Sequence, residues 1–416
     1  MTTTSSPPAS TDYATGQLRL PRVEVVDCTL RDGEQAAGVE FSVERKVALA
    51  HQLAAAGIDI LDAGFPAASA ADFDAIQEMR RQGVGCRVGA TARALTGDVV
   101  RAAESGADDV FVFMPTSNLR IRETMGIDRA RAEAMLLEAG ETAMSCGLAL
   151  SIVFEDATRA DPEWMAELLA RLMDRLVVGR AFLADTVGCG DPESINRLFA
   201  TLSRRLGDDI ALATHCHNDL GMATANTVAA VRGGARTISC TVNGIGERAG
   251  NADLAESVAA LTHLQVAEVG VRPLTLPALS EAVQHLSGIH MSPMKPVTGS
   301  NVYRHESGVH VDAMLKDRRS YEFLAPSWTA QEHEWVLGKH SGEALVRTLL
   351  AQNGCPTDDD TVRTLLAVVK EQLSMRDAEL LDAGYRAKIA FERAALSGVP
   401  VSSLLATARA GGPMPS

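Results

Sequence analysis

The chain has 416 residues, 46% of them hydrophobic and 4% aromatic, with a formal net charge of −14. That charge argues against a nucleic-acid partner or an anionic membrane surface, while a few local cations would still suffice for a small acidic substrate. Seven scattered cysteines without a CxxC pair suggest reduced thiols in the cytoplasm, and argue against a disulfide framework or a zinc ribbon.

Residues 1–21 lack both a basic and an apolar stretch, so they read as a disordered polar tail and not as a secretory signal. From Val23, short apolar runs alternate with amphipathic stretches. VEVVDC (23–28), IDILDAGF (58–65), CRVGATA (86–92), DDVFVFM (108–114), LALSIVF (148–154), RAFLADT (180–186), IALATHCH (210–217) and TISCTV (237–242) read as buried strands. Helical patterns lie between them. Ser42 opens one of these as an N-cap, with Arg45 where a capping box carries an acid. Gly57, Gly106, Gly147 and Gly207 stand where C-terminal caps belong. Eight regular units favour a closed (β/α)8 barrel over a doubly wound sheet, and no GxGxxG follows the first strand. The catalytic barrel is expected over residues 22–287. A loop-rich stretch with Pro293, Pro296 and Gly299 then predicts a linker subdomain over 288–345. Helical patterns follow over 346–416, ending in a disordered ARAGGPMPS. No apolar run is long enough to span a membrane.

Barrel active sites gather at the C-terminal ends of the strands. The first strand ends in DCTLRDGEQ, the fifth in EDATR and the seventh in HCHND. On a strand, residues i and i+2 share a face, so His215 and His217 point the same way and Cys216 the other. Two imidazoles at a barrel mouth, with Asp32 two strands away, make a three-ligand site with open positions. Mixed nitrogen and oxygen donors suit Zn²⁺, Mn²⁺, Fe²⁺ or Mg²⁺ without choosing among them. Taken alone, the histidine pair also fits two core residues satisfied by hydrogen bonds, and DCTLRDGEQ fits a solvated loop.

DCTLRDGEQ, ADTVG, THCHNDLGMATANTVAAV and NGIGERAGN together resemble the signatures of the DRE-TIM metallolyase superfamily. HESGVHVDAMLK and VLGKHSG narrow the resemblance to homocitrate synthases and 2-isopropylmalate synthases, over about residues 23–345. It implies a divalent-metal-dependent Claisen condensation, in which acetyl-CoA as co-substrate adds to a 2-oxo acid and CoA is released. By motif position, Asp32, His215 and His217 resemble the metal ligands, and Asn251 an outer contact. Arg31 resembles the arginine beside the reacting carbonyl, and Gln35 and Thr186 resemble substrate contacts. His310 resembles a base delivered to a neighbouring subunit's barrel, accompanied by Tyr321 and by Glu155. That implies a homodimer with a shared active site.

The few residues after VLGKHSG, together with GVHVDAMLK, lean toward short homocitrate synthases using 2-oxoglutarate, whereas GFPAASAADFDAI leans toward 2-isopropylmalate synthases using 2-oxoisovalerate. The loop MPTSNLRIRETMG departs from the family, with Asn118 in place of an acid and with Arg120 added. An added arginine there predicts an acceptor with a distal anion, a carboxylate as in 2-oxoglutarate or oxaloacetate, or a phosphonate as in 3-phosphonopyruvate, since guanidinium groups suit bidentate recognition. The alternative has Arg120 or Arg122 facing solvent and pairing with Glu123. The long C-terminal part counts against a hydroxymethylglutaryl-CoA lyase, and no strand end offers the lysine of a biotin-dependent carboxyltransferase.

Overall fold

The computed structural model describes residues 20–374, 378–396, 398 and 401–410. The expected N-terminal tail and the last six residues of ARAGGPMPS lie outside these, apart from Leu20 and Pro21. The described residues fall into two compact units. The first lies within Met1–Pro273, Ala278–Ile289 and Gly398–Ser416, the second within Leu274–Pro277 and His290–Ser397.

In the first unit, eight parallel strands form the barrel wall. They are β1 (Arg22–Asp27), β2 (Ile60–Asp62), β3 (Arg87–Arg93), β4 (Asp109–Pro115), β5 (Ala149–Glu155), β6 (Val178–Asp185), β7 (Ala211–Cys216) and β8 (Thr237–Cys240). Each pairs with the next, and β8 pairs with β1 through Val26↔Ser239 and Asp27↔Cys240, so the sheet closes. The (β/α)8 expectation therefore holds. A ninth strand, β9 (Glu268–Val269), extends the start of β1 and was invisible as a two-residue element.

Helices α1 (Val43–Ala56), α2 (Ala70–Gln82), α3 (Thr96–Glu104), α4 (Arg129–Ser145), α5 (Pro162–Met173), α6 (Pro192–Leu206), α7 (Ala223–Arg232) and α8 (Leu254–His263) follow the strands in turn. The Ser42 hydroxyl accepts from the Arg45 amide, and Gly57 turns the chain back at φ 93°, a region that L side chains rarely adopt. Inside the barrel, Val26, Ile60, Phe111, Phe182 and Ala213 pack into one apolar cluster, with Val153 against it. That cluster is the floor on which the polar strand ends stand. No helix among the described residues is long and apolar enough to cross a membrane.

Helix α9 (Leu276–Ser287) follows. The second unit holds a two-stranded ribbon, β10 (Arg304–His305) and β11 (Glu334–Trp335), with helices α10 (Gly308–Lys316), α11 (Glu343–Gln352), α12 (Asp359–Ser374) and α13 (Ala378–Ala395). Helix α14 (Val401–Ala410) closes the described chain and belongs to the first unit. The residues expected as a linker subdomain and those of α11–α13 fall together in the second unit. The motifs HESGVH and GKHSG meet there. A Cβ on Gly308 would lie 2.9 Å from Gly342 Cα, and one on Gly338 would collide with the Glu306 carboxylate. Glu306 Oε1 in turn accepts from the His340 amide at 3.0 Å.

Candidate active site

The β1 loop turns tightly because one carbonyl, that of Cys28, accepts from the amides of Arg31, Asp32 and Gly33 at 3.1, 2.8 and 3.0 Å. The turn sets Arg31 and Asp32 side by side over the barrel mouth. Arg31 Nη1 donates to Asp32 Oδ2 and its Nε to Asp62 Oδ2, both at 2.7 Å. Thr91 Oγ1 donates to Asp62 at 2.9 Å, so a second buried carboxylate and a hydroxyl hold the guanidinium from beneath.

Across the mouth, strand register decides what His215 meets. His215 lies opposite Ser239 of β8, and its Nδ1 is 3.1 Å from Ser239 Oγ. His217 lies one step beyond the last residue of β7, where it bridges to Asn251, and its Nδ1 is 3.2 Å from the Gly250 carbonyl. A carbonyl only accepts, so this Nδ1 carries the hydrogen and Nε2 keeps its lone pair. The two Nε2 atoms lie 3.3 Å apart, and 3.7 and 3.9 Å from Asp32 Oδ2. Burial, reinforced by the neighbouring imidazole, pushes the His215 pKa down to about 3. Burial likewise lowers that of His217. Burial alone would raise the Asp32 pKa, but Arg31 and the two histidines outweigh it and hold the carboxyl well below its usual range. The result is two neutral imidazoles and one carboxylate with donor atoms all within 4.8 Å of one another.

This donor set fits a divalent cation. Both Nδ1 atoms are engaged elsewhere, as is usual for metal-binding histidines, and the two Nε2 atoms face each other. Asn251 donates from Nδ2 to Asp32 Oδ1 at 2.6 Å, while its Oδ1 is buried without a hydrogen-bond partner among the described residues. The loop carrying it is crowded. A Cβ on Gly246 would strike Asn251 Nδ2 and lie 2.6 Å from Asp32 Oδ1, and one on Gly250 would strike the Gly244 carbonyl.

The cluster opens into a cavity of about 240 Å³. Arg31, Asp32, Gln35, Glu155, Thr186, His215 and His217 all line it, as do Asp62, Thr91, Ser239 and Arg248. Its inner wall is apolar, formed by Phe65, Phe111, Phe113, Val153 and Phe182. Arg120 is not among the lining residues. Its guanidinium pairs with Glu155 Oε1 at 2.8 Å, not with Glu123. Burial raises the Glu155 pKa, with Arg120 opposing that shift. Arg248, at φ 57°, clasps Asp219 through two bonds of 2.9 Å and donates to the Thr186 carbonyl at 2.7 Å.

His310 and Tyr321 belong to the second unit and stack on each other, with ring centroids 4.1 Å apart and planes at 25°. Asp62, Thr91, Ser239 and Arg248 had no role in the sequence reading. Asp62 and Arg248 were visible as charges at strand ends, but their partners come from distant segments.

A closed parallel barrel with a His₂–carboxylate cluster at its mouth defines a metal-site barrel enzyme. Residues 22–283 match the family model described as HMGL-like, and residues 297–377 match one described as homocitrate synthase post-HMGL domain-like. The chain belongs to the HMGL-like family, among the DRE-TIM metallolyases. It is 40% identical to a putative (R)-citramalate synthase of Methanopyrus kandleri, over 88% of this chain and 71% of that one. It is 39% identical to a probable 2-isopropylmalate synthase of Ignicoccus hospitalis, over 84% and 88%. It is 38% identical to a homocitrate synthase of Methanopyrus kandleri, over 86% and 89%. The solved HMG-CoA lyase of Bacillus subtilis superposes with a TM-score of 0.59 at 20% identity, over 67% of this chain and 98% of that one, a likeness of fold.

Proposed function

We propose that this enzyme joins the methyl carbon of acetyl-CoA to the ketone of a 2-oxo acid, that water then hydrolyses the thioester to release CoA, and that its acceptor is 2-oxoglutarate, giving homocitrate. The convergence of Asp32, His215 and His217 beside Arg31 in one cavity carries the reaction class. Asp32, His215 and His217 would hold a divalent ion, which would supply Lewis-acid polarisation of the acceptor's ketone. Arg31, fixed by Asp32 and Asp62, keeps its remaining N–H donors for the oxygen that gains negative charge as the carbon–carbon bond forms. Thr186 holds the acceptor's carboxylate and Gln35 lies on the substrate side. The methyl protons of a thioester are weakly acidic, so a positioned base is required. His310, with Tyr321 stacked on it, is that base, delivered to the barrel of a second copy and supported there by Glu155.

Two observations support 2-oxoglutarate. The homocitrate synthase domain match covers residues 297–377, and Arg120 reaches the cavity's edge through Glu155. 3-Phosphonopyruvate would use the same arginine. The apolar wall of Phe65, Phe111, Phe113, Val153 and Phe182 favours a second reading, an acceptor with an apolar tail such as 2-oxoisovalerate or pyruvate. CoA release with a divalent metal, compared by kcat/KM across 2-oxoglutarate, oxaloacetate, 3-phosphonopyruvate, 2-oxoisovalerate and pyruvate, decides between them. A preference for 2-oxoglutarate that falls when Arg120 and Arg122 are both replaced by Gln supports the first reading. A preference for 2-oxoisovalerate or pyruvate supports the second, and no CoA release with any acceptor removes the synthase assignment.

A further inference from the structure

The β4, β5 and β6 loops are tied together at one residue that lines no part of the cavity. Asp156 is fully buried and adopts φ 60° and ψ 35°, a left-handed conformation rare for a residue with a side chain. Its carboxylate accepts from Ser117 Oγ of the β4 loop at 2.5 Å. It also accepts from Arg159 Nε and Nη2 at 2.7 and 2.8 Å. Its amide donates to Thr186 Oγ1 of the β6 loop at 2.8 Å.

Each bond has a directional consequence. The Asp156 amide occupies a lone pair of Thr186 Oγ1, and that hydroxyl's hydrogen meets no acceptor among the described residues. Thr186 therefore stands at the cavity as a donor. Ser117 Oγ gives its hydrogen to Asp156 and accepts from the Arg120 amide at 3.2 Å, which sets the start of the π-helical segment Leu119–Thr124. Arg120 reaches Glu155 from that segment. One buried residue thus orients the Thr186 hydroxyl through its amide and, through its carboxylate and Ser117, the segment whose Arg120 pairs with Glu155.

We infer that Asp156 is a positioning residue for acceptor binding, setting the Thr186 hydroxyl and the Arg120–Glu155 pair without touching substrate. This rests on the reading that Thr186 holds the acceptor's carboxylate. Asp156→Asn in the full chain is the test, because Asn tolerates the left-handed backbone and keeps the amide but loses the carboxylate that binds Arg159. The KM for the best acceptor of the panel is expected to rise by about tenfold or more, the loss typical of a charged hydrogen bond. The KM for acetyl-CoA and the affinity for Mn²⁺ alone are expected to stay within about twofold. Ser117→Ala, which leaves the strained backbone untouched, shifts the acceptor KM in the same direction and serves if Asp156→Asn does not fold. Thr186→Val is the reference. If it weakens the acceptor while Asp156→Asn and Ser117→Ala match the unaltered enzyme, the assignment of Asp156 is wrong. A uniform loss, with lower kcat, higher KM for both substrates and weaker Mn²⁺ binding, would make Asp156 merely structural and also overturns it. No effect of Thr186→Val refutes the placement of the acceptor itself.

Discussion

The two ends of the barrel are built from the same strands and use charge in opposite ways. At the N-terminal end the buried cation meets two anions. Arg180 is bound to Glu24 at 2.9 Å and to Asp109 at 3.3 Å, and Arg87 meets Asp109 at 2.8 Å. At the C-terminal end two neutral imidazoles face each other beside a carboxylate, around a space that calls for a cation. In the first arrangement carboxylates meet guanidinium groups, although Asp109 Oδ2 stays buried without a hydrogen-bond partner among the described residues, and in the second the donor atoms converge on one point. Arg180 and Asp109 are as buried as the mouth residues, so it is the kind of groups brought together, not exposure, that separates a structural charge cluster from a functional one.

The sharpest way to break this contrast is to remove a donor at the mouth. His217→Ala is expected to lower kcat/KM roughly a thousandfold, the equivalent of about 4 kcal/mol of lost metal catalysis, with thermal stability of the metal-free protein preserved. Unaltered turnover would show that the cluster is structural. The converse variant is Arg180→Met, which leaves Glu24 without its cation and Asp109 with Arg87 alone, and is expected to destabilise the fold by about 3 kcal/mol in urea unfolding. Activity per folded molecule should be unaffected, and a selective loss of activity would erase the distinction between the ends.

Asp27 tests a carboxyl that belongs to neither pattern, because only Thr29 hydrogen-bonds to it. Burial above all pushes its pKa up to about 7. A raised carboxyl favours the folded state fully below pH about 4, and that contribution is lost as pH rises toward 7. Asp27→Asn should therefore abolish a pH-dependent loss on the order of 2–4 kcal/mol. Thermal unfolding of both proteins between pH 4 and 8 checks this, and parallel curves would count against it. The mildest change is Ser239→Ala behind His215. It is expected to weaken Mn²⁺ affinity by about 10–100-fold in a direct titration, with the fold intact. Unchanged affinity would place Ser239 outside the metal's surroundings.

The wall of the barrel was legible because its strands are short apolar runs at regular intervals, and the observed strands fall within a few residues of them. The histidine pair was legible because a two-residue period and a strand end are both local properties. The groups that orient those residues were not. Ser239 meets His215 through a register between β7 and β8, and Asp62 reaches Arg31 from 31 residues along the chain. Arg120 illustrates the same limit. Its unusual charge was visible, but its engagement with Glu155 depends on the packing of two loops.

The crowded loop around Gly246 and Gly250 has a consequence for how such an enzyme diversifies. Not even a methyl group fits where these glycines stand, so the metal side tolerates almost no substitution. Gly126, just beyond the segment that carries Arg120, faces open space, though its φ of 67° still favours glycine. If the loop with Arg120 selects the acceptor, as proposed, descendants of this chain change what they condense by rewriting that loop, while the chemistry they inherit stays the same.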